Sequence, residues 1–323
     1  MAGYRSLEED WQAFQAMNAT VVQPILVSMV WRGGQRFNRA LASIRAGRKY
    51  FSRVVLSVTG PVDGDDMRLA LEFQKSDPSV EVICTERELP TMQHQAFWID
   101  YLESTGVHAS DWIFWLSYDD ELRVTGIANI VDERGNWPLT PGTAYFGPWA
   151  MRGEEVGGLW SGDPNEALPA WTSFPADGPT RLPVHTWIAD QLRQPTYMQM
   201  SGSVNPFRSF LDLRKGHPRK SGPMRIELAA AASRGIHNVA EFSEPVSIIY
   251  GRSDSDRASY GSAARTEDVH LAVWLLRYGA WNPKALLPVA ASLAQATLRT
   301  GQETVGRTEA LTEEWRVRGE VVP

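Results

Sequence analysis

Asp119, Asp120 and Glu121 follow an apolar run, Trp112 to Leu116, within the stretch SDWIFWLSYDDEL. Such a run reads as a buried strand, and carboxylates leaving a buried strand seldom serve packing. In an open α/β sheet, ligands sit beyond the carboxyl ends of the strands. These acids would therefore project into a crevice able to hold a cation and its phosphates. Their competing use is as a solvated strand end or as caps of the next turn. Asp63, Asp65 and Asp66 close a second apolar run, RVVLSV, where Asp65 would serve equally as an N-cap. Glu227 opens a short helical segment after Gly222-Pro223, and Glu267-Asp268 opens another. Acids at a helix N-terminus also cap it and complement its dipole without any chemistry. Among basic groups, Arg32 follows the first apolar run, and Arg214, Lys215, Arg219, Lys220 and Arg225 crowd one segment. A basic run is usually a solvated face, yet it can also meet an anionic ligand.

The elements that must carry these groups are legible from periodicity. PILVSMVW from Pro24 is a strand, Arg32-Gly33-Gly34 a turn, and Phe37, Ala40, Leu41 and Ile44 mark a helix. RVVLSV from Arg53 is a second strand, followed by a helix from near Asp66 through Leu69, Leu71 and Phe73. Val80 to Cys84 is a third strand, with Cys84 expected to be buried, and Thr91 to Glu103 a helix before the acidic strand. This alternation predicts an α/β fold with a mostly parallel sheet and helices on both faces. Ahead of it, Leu7, Trp11, Phe14 and Met17 predict an N-terminal helix over residues 1–20. Beyond Leu122 the chain turns rich in Gly, Pro and Trp, with a short strand at Tyr145 and Phe146. So long an irregular stretch suggests a functional insertion over 134–195. Strands are expected within 196–207, around Val239 and in SEPVSIIYGR, with a helix between Ile226 and Ser233. The divisions expected are 1–20, 21–133, 134–265 and a C-terminal helical extension, 266–323.

With 323 residues and 43% hydrophobic side chains, the chain can bury a core without staples. A net charge of −6 disfavours nucleic acid and anionic lipid as general partners. Cys84 is the single cysteine, so no internal disulfide or thiolate cluster can form, which suits a reducing compartment. Acids near the N-terminus and the lack of a long apolar run predict neither a signal peptide nor a transmembrane segment, and so a cytoplasmic protein. Thirteen tryptophans, several among Gly and Pro, suggest aromatic faces for sugars or extra core anchors. No G-x-G-x-x-G after a strand, Walker loop, H-E-x-x-H or G-x-S-x-G is present, which removes the dinucleotide, P-loop, zincin and α/β-hydrolase readings.

Taken in order, PILVSMVW with its helix FNRALASI, RVVLSV with its acidic turn, DWIFWLSYDDEL, SGSVNPFR and MRIELAAAASRGIHNVAEFSEPVSIIYGR resemble the family-2 glycosyltransferases with a GT-A fold. The resemblance spans residues 22 to 260 by order of motifs and not by close identity. It implies a Rossmann-like GT-A architecture, a nucleotide-sugar-binding half over 21–133 and an acceptor half over 134–265. In that family an Asp-x-Asp element holds a divalent cation against the donor diphosphate. Its first position falls here on Ser117 and its second on Asp119, so Asp119 is the expected ligand of Mn2+ or Mg2+. Ser117 would bind ribose or a metal-bound water, with Asp120 in support. The family also implies a general base: Glu227 is favoured because SEPVSIIY follows it, with Asp268 as the alternative. Arg32, Asp63, Arg225 and Arg252 are the expected nucleotide-sugar contacts; Arg252 stands near a metal-binding His of the relatives and cannot ligate. Trp149, Trp160, Trp171, Trp187 and His185 are candidate acceptor contacts, although loop anchoring competes for the tryptophans. His94 and His185 also fit a surface or core role.

The implied reaction is inverting transfer of a sugar from a nucleoside-diphosphate sugar to a glycan, lipid-linked or protein hydroxyl. The C-terminal helices are a candidate surface for self-association. Two rivals stand beside this reading: a carbohydrate-binding protein on a decayed GT-A fold, and a sugar nucleotidyltransferase, whose glycine-rich loop Gly33-Gly34-Gln35-Arg36 distantly resembles.

Overall fold

The computed structural model describes residues 20–61, 64–89, 91–154, 170–171, 174, 180–184, 186–187, 201–211 and 237–251. In chain order the elements are β1 (Thr20–Val22), β2 (Ile25–Val30), α1 (Gly34–Gly47), β3 (Arg53–Thr59), α2 (Asp65–Ser76), β4 (Val80–Thr85), α3 (Thr91–Ser104), β5 (Trp112–Ser117), β6 (Glu121–Leu122) and α4 (Val124–Ile130). They continue with β7 (Trp137–Leu139), β8 (Thr143–Phe146), β9 (Trp149–Glu154), β10 (Ala170–Trp171), β11 (Arg181–Pro183), β12 (Ser203–Pro206), β13 (Asn238–Glu241) and β14 (Ser247–Gly251).

One eight-stranded sheet runs β11-β13-β8-β12-β5-β2-β3-β4. The half built from the earlier part of the chain, β5-β2-β3-β4, is parallel throughout. Parallel strands covered on both faces read as unbroken apolar runs, and every residue of β2 is buried. On one face Phe37, Ala40, Leu41 and Ile44 of α1 and Met67, Ala70 and Phe73 of α2 meet Leu26, Leu56 and Phe114. On the other, Trp98, Ile99 and Leu102 of α3 meet Val27, Val55, Ile113 and Trp115. The helical period on α2 therefore selects Met67, Ala70 and Phe73, and Leu71 points outward.

The second half is mixed. β12 lies antiparallel between β5 and β8, and β13 is parallel to β8. Within the span 134–195, β8 is thus an inner strand of the main sheet. A four-stranded sheet, β10-β9-β14-β6, and the pair β1-β7 are the others among the described residues. The two halves are joined by aromatic packing: Phe51–Phe114, Phe114–Trp137, Trp137–Phe242 and Tyr145–Phe242 have ring centroids 5.2, 5.5, 5.4 and 5.1 Å apart. Trp137 donates its indole N–H to the Tyr50 carbonyl at 2.9 Å, which removes the cost of burying it.

Cys84 was expected in the interior but is exposed. The reason is position: among the described residues β4 is an edge strand of the large sheet, with a neighbour on one side only. The expected N-terminal helix (before Thr20), the Ile226–Ser233 helix and the 266–323 extension lie outside the described residues. Among the described residues no helix is long and apolar enough to cross a membrane.

Candidate functional site

β2, β3, β4 and β5 are parallel, so their carboxyl ends open on one side of the sheet. The loop after β2 makes a sharp turn, with Arg32 at φ 51° and Gly34 at φ 52°. Asp66, in the first turn of α2, holds this turn: its Oδ2 accepts the Gly33 amide at 2.8 Å and its Oδ1 the Gly34 amide at 2.7 Å. Gly33 must be glycine here, since a Cβ would stand 2.7 Å from Cβ of Phe37 and 3.0 Å from the Tyr118 ring. Tyr118 belongs to the acidic turn after β5, so the two turns abut.

Arg32 reaches from β2 to the loop after β4. Its Nε and Nη2 donate to Oε1 and Oε2 of Glu88, both at 3.1 Å. With the two side chains 67% and 43% exposed, the fork adds little to stability and acts as a clasp. The Arg32 hydrogen bond, aided by the Trp31 indole, holds the Glu88 carboxyl below its usual range. Thr59, at the end of β3, accepts the Leu89 amide at 2.6 Å and donates to the Arg87 carbonyl at 3.0 Å, fixing the same loop. These groups enclose a cavity of about 290 Å³, lined among others by Arg32, Thr59, Gly60, Asp65, Asp66 and Glu88.

The acidic turn divides its three carboxylates among different tasks. Ser117 N–H donates to Oγ of Ser201 at 2.8 Å, and its own hydroxyl donates to Oδ1 of Asp119. Asp120 is 4% exposed and turned inward. Glu121 accepts the Tyr250 hydroxyl and stands 3.5 Å from Nε of Arg39, whose guanidinium lies 4.1 Å above the Tyr250 ring. Three acids projecting together was the expectation; Asp120 faces the interior and Glu121 ties β6 to α1 and β14. Asp119, paired with Ser117, is the one left as a candidate ligand of an external ion.

Mn2+ or Mg2+ in such a site keeps several waters and needs only one or two carboxylates when phosphates complete its shell. Ser117 and Asp119, two adjacent oxygen side chains, fit that demand. They do not fit an all-protein cage, and among the described residues no group of three or more His, Cys, Asp or Glu could hold a metal.

Arg32 lines the cavity, while Asp63, Trp160, His185, Arg225, Glu227, Arg252 and Asp268 lie outside the described residues. Trp149 and Trp187 are 4% and 1% exposed, so both belong to the interior and offer no open face to an acceptor. Trp187 stacks on Phe146, with centroids 5.6 Å apart. Asp65 is not the N-cap of α2, a position held by Gly64; its carboxylate lies 3.3 Å from Arg68. His94 is a core residue, with Nε2 2.9 Å from Oγ of Ser57, and burial lowers its pKa to about 4. The sequence reading missed Glu88 and Ser201, which meet their partners 56 and 84 positions away and carry no local signal. Asp66 was visible as one of three acids, but nothing local ties it to the glycine turn.

No family model and no curated protein matches the sequence. Solved structures do. The chain superposes on the glycosyltransferase TarS of S. aureus, residues 1–349, in complex with UDP-GlcNAc, at a TM-score of 0.50 and 10% identity over 87% of this chain and 74% of that one. Against a longer TarS structure the TM-score is 0.52 at 11% identity, over 87% of this chain and 44% of that one. A mannosyltransferase from Pyrobaculum calidifontis, in complex with GDP-Man and Mn2+, superposes less well, with a TM-score of 0.46 at 12% identity over 96% of this chain and 87% of that one. The likeness to TarS shows the fold: a mixed α/β sheet flanked by helices, as in GT-A glycosyltransferases.

Proposed function

We propose that the protein is a glycosyltransferase that moves a sugar from a nucleoside-diphosphate donor to a hydroxyl acceptor. One observation carries the reading: the turn bearing Ser117 and Asp119 abuts the glycine turn that walls a ligand-sized cavity at the strand ends. The cavity lining carries three carboxylates, Asp65, Asp66 and Glu88, against the guanidinium of Arg32. That balance suits a neutral, hydrogen-bonding nucleobase better than phosphates, which would lie toward Asp119.

In the proposed reaction the acceptor oxygen attacks the anomeric carbon as the bond to the diphosphate oxygen breaks, inverting that centre. Glu227, or in the alternative Asp268, takes the acceptor proton. Asp119, oriented by the Ser117 hydroxyl, would hold Mn2+ or Mg2+, with Asp120 behind it. When bound, the cation supplies positive charge that offsets the charge building on the departing diphosphate. Arg32 would contact the nucleotide, Asp63, Arg225 and Arg252 remain proposed donor contacts, and Trp160 and His185 proposed acceptor contacts. We place the activity in the cytoplasm by proposal.

One feature favours a second reading, a carbohydrate-binding protein: Ser117 stands in place of an acid. A nucleotidyltransferase is disfavoured, because a phosphate-cradling glycine turn needs free amides and Asp66 already fills those of Gly33 and Gly34. The deciding experiment incubates the protein with UDP- and GDP-sugars, Mn2+ and a panel of hydroxyl acceptors. Release of UDP or GDP with label in the acceptor supports the transferase; donor or glycan binding without release supports the binder.

A further inference from the structure

Asp66 spends both carboxylate oxygens on consecutive amides of a loop in another βα unit, 33 and 32 positions away. Charge-assisted bonds of this kind are about twice as strong as neutral ones. What they hold is an unfavourable backbone: Arg32, at φ 51°, is the one non-glycine residue with a positive φ among those described. A side chain is kept in the left-handed region only where its surroundings over-determine it, and such places concentrate at ligand sites. Here the consequence is directional. From this backbone the Arg32 side chain reaches Glu88, and both residues line the cavity.

We infer that Asp66 is a positioning residue: by fixing the Gly33-Gly34 turn it holds Arg32 in the orientation from which Arg32 meets the donor nucleotide. The inference rests on the glycosyltransferase reading and deepens it. Without the carboxylate, two amides beside the cavity lose their acceptor, the turn relaxes, and Arg32 leaves the left-handed region. Asp66 also lines the cavity, so a direct contact with the ligand is the competing role. The two roles differ in one measurable respect, since a residue that works through Arg32 has nothing to do once Arg32 is gone.

The test is a double-mutant cycle read by calorimetric titration of UDP and of GDP, each with Mn2+, on the full chain. Asp66→Asn should weaken binding of the preferred nucleotide by about tenfold in the parent and by less than about twofold in an Arg32→Ala background, a coupling of the size expected for residues sharing a structural unit. Asp66→Asn is nearly isosteric, so the cycle stands even if Asp66→Ala does not fold, and melting curves report folding for each protein. Equal losses in both backgrounds would mean that Asp66 touches the ligand or merely supports the fold, and would overturn the inference while leaving the transferase intact. Failure of the parent to bind either nucleotide would remove the inference together with the reading beneath it.

Discussion

Protonating His94 would put a charge between β3 and α3, in a site closed to water. Burial lowers its pKa to about 4, whereas the unfolded chain titrates near the ordinary 6.5. The unfolded state therefore takes up the proton first. Stability is full above pH 6.5 and falls as the pH drops toward 4, by up to about 3 kcal/mol from this group. His94→Gln should flatten that part of the stability curve, as followed by urea denaturation across pH 4 to 7. Asp119, the proposed ligand of the cation, is expected to act on turnover more than on folding. Asp119→Ala should cost at least about a hundredfold in metal-dependent transfer. Its melting temperature should fall by no more than several degrees, the effect of losing the hydrogen bond that half-buried Asp119 accepts from Ser117. The three neighbouring acids were legible as a cluster, but their separate fates were not. Ser201 holds the Ser117 end of the turn, and Arg39 and Tyr250 hold Glu121, all of them distant in sequence.

At the level of elements, β2, β3 and β5 were legible because parallel strands buried on both faces leave an uninterrupted apolar pattern, and β4 and the helices α1 to α3 were legible from their apolar spacing. Of the short strands β7 to β11, β8 was legible at Tyr145 and Phe146, while the others were far less visible, since so few residues give little period and their pairing is non-local. One of their supports is a close approach rather than a bond. A Cβ on Gly126 of α4 would fall 1.8 Å from the Pro245 carbonyl oxygen, just ahead of β14. Arg123, beside that helix, donates its amide to the Val246 carbonyl at 2.9 Å, so α4 cannot simply back away. Gly126→Ala should cost about 1–3 kcal/mol and lower the melting temperature by several degrees, as read by calorimetry. The Glu121–Tyr250–Arg39 knot makes a second check. Glu121→Ala should destabilise the fold yet leave the affinity for Mn2+ near that of the parent, in titrations with UDP present.

For the molecule as a whole, order of motifs was enough to indicate the fold, and the superposition on TarS bears that out. The site was legible only in outline, because a cavity is made by side chains converging from separate loops and no single stretch encodes it. If the cavity and the Asp119 turn serve one ligand, UDP or GDP should raise the melting temperature most when Mn2+ is present. A hundredfold excess over Kd corresponds to about 2.7 kcal/mol of apparent stability. A shift caused equally by uridine or guanosine alone would confine binding to the cavity. The edge strand β4 offers a means of watching this happen. Cys84 is the only thiol in the chain, it is exposed, and it sits just upstream of the loop that presents Glu88. A single maleimide fluorophore attached there would need no cysteine engineering, and its emission would follow the Arg32–Glu88 clasp in real time as nucleotide enters.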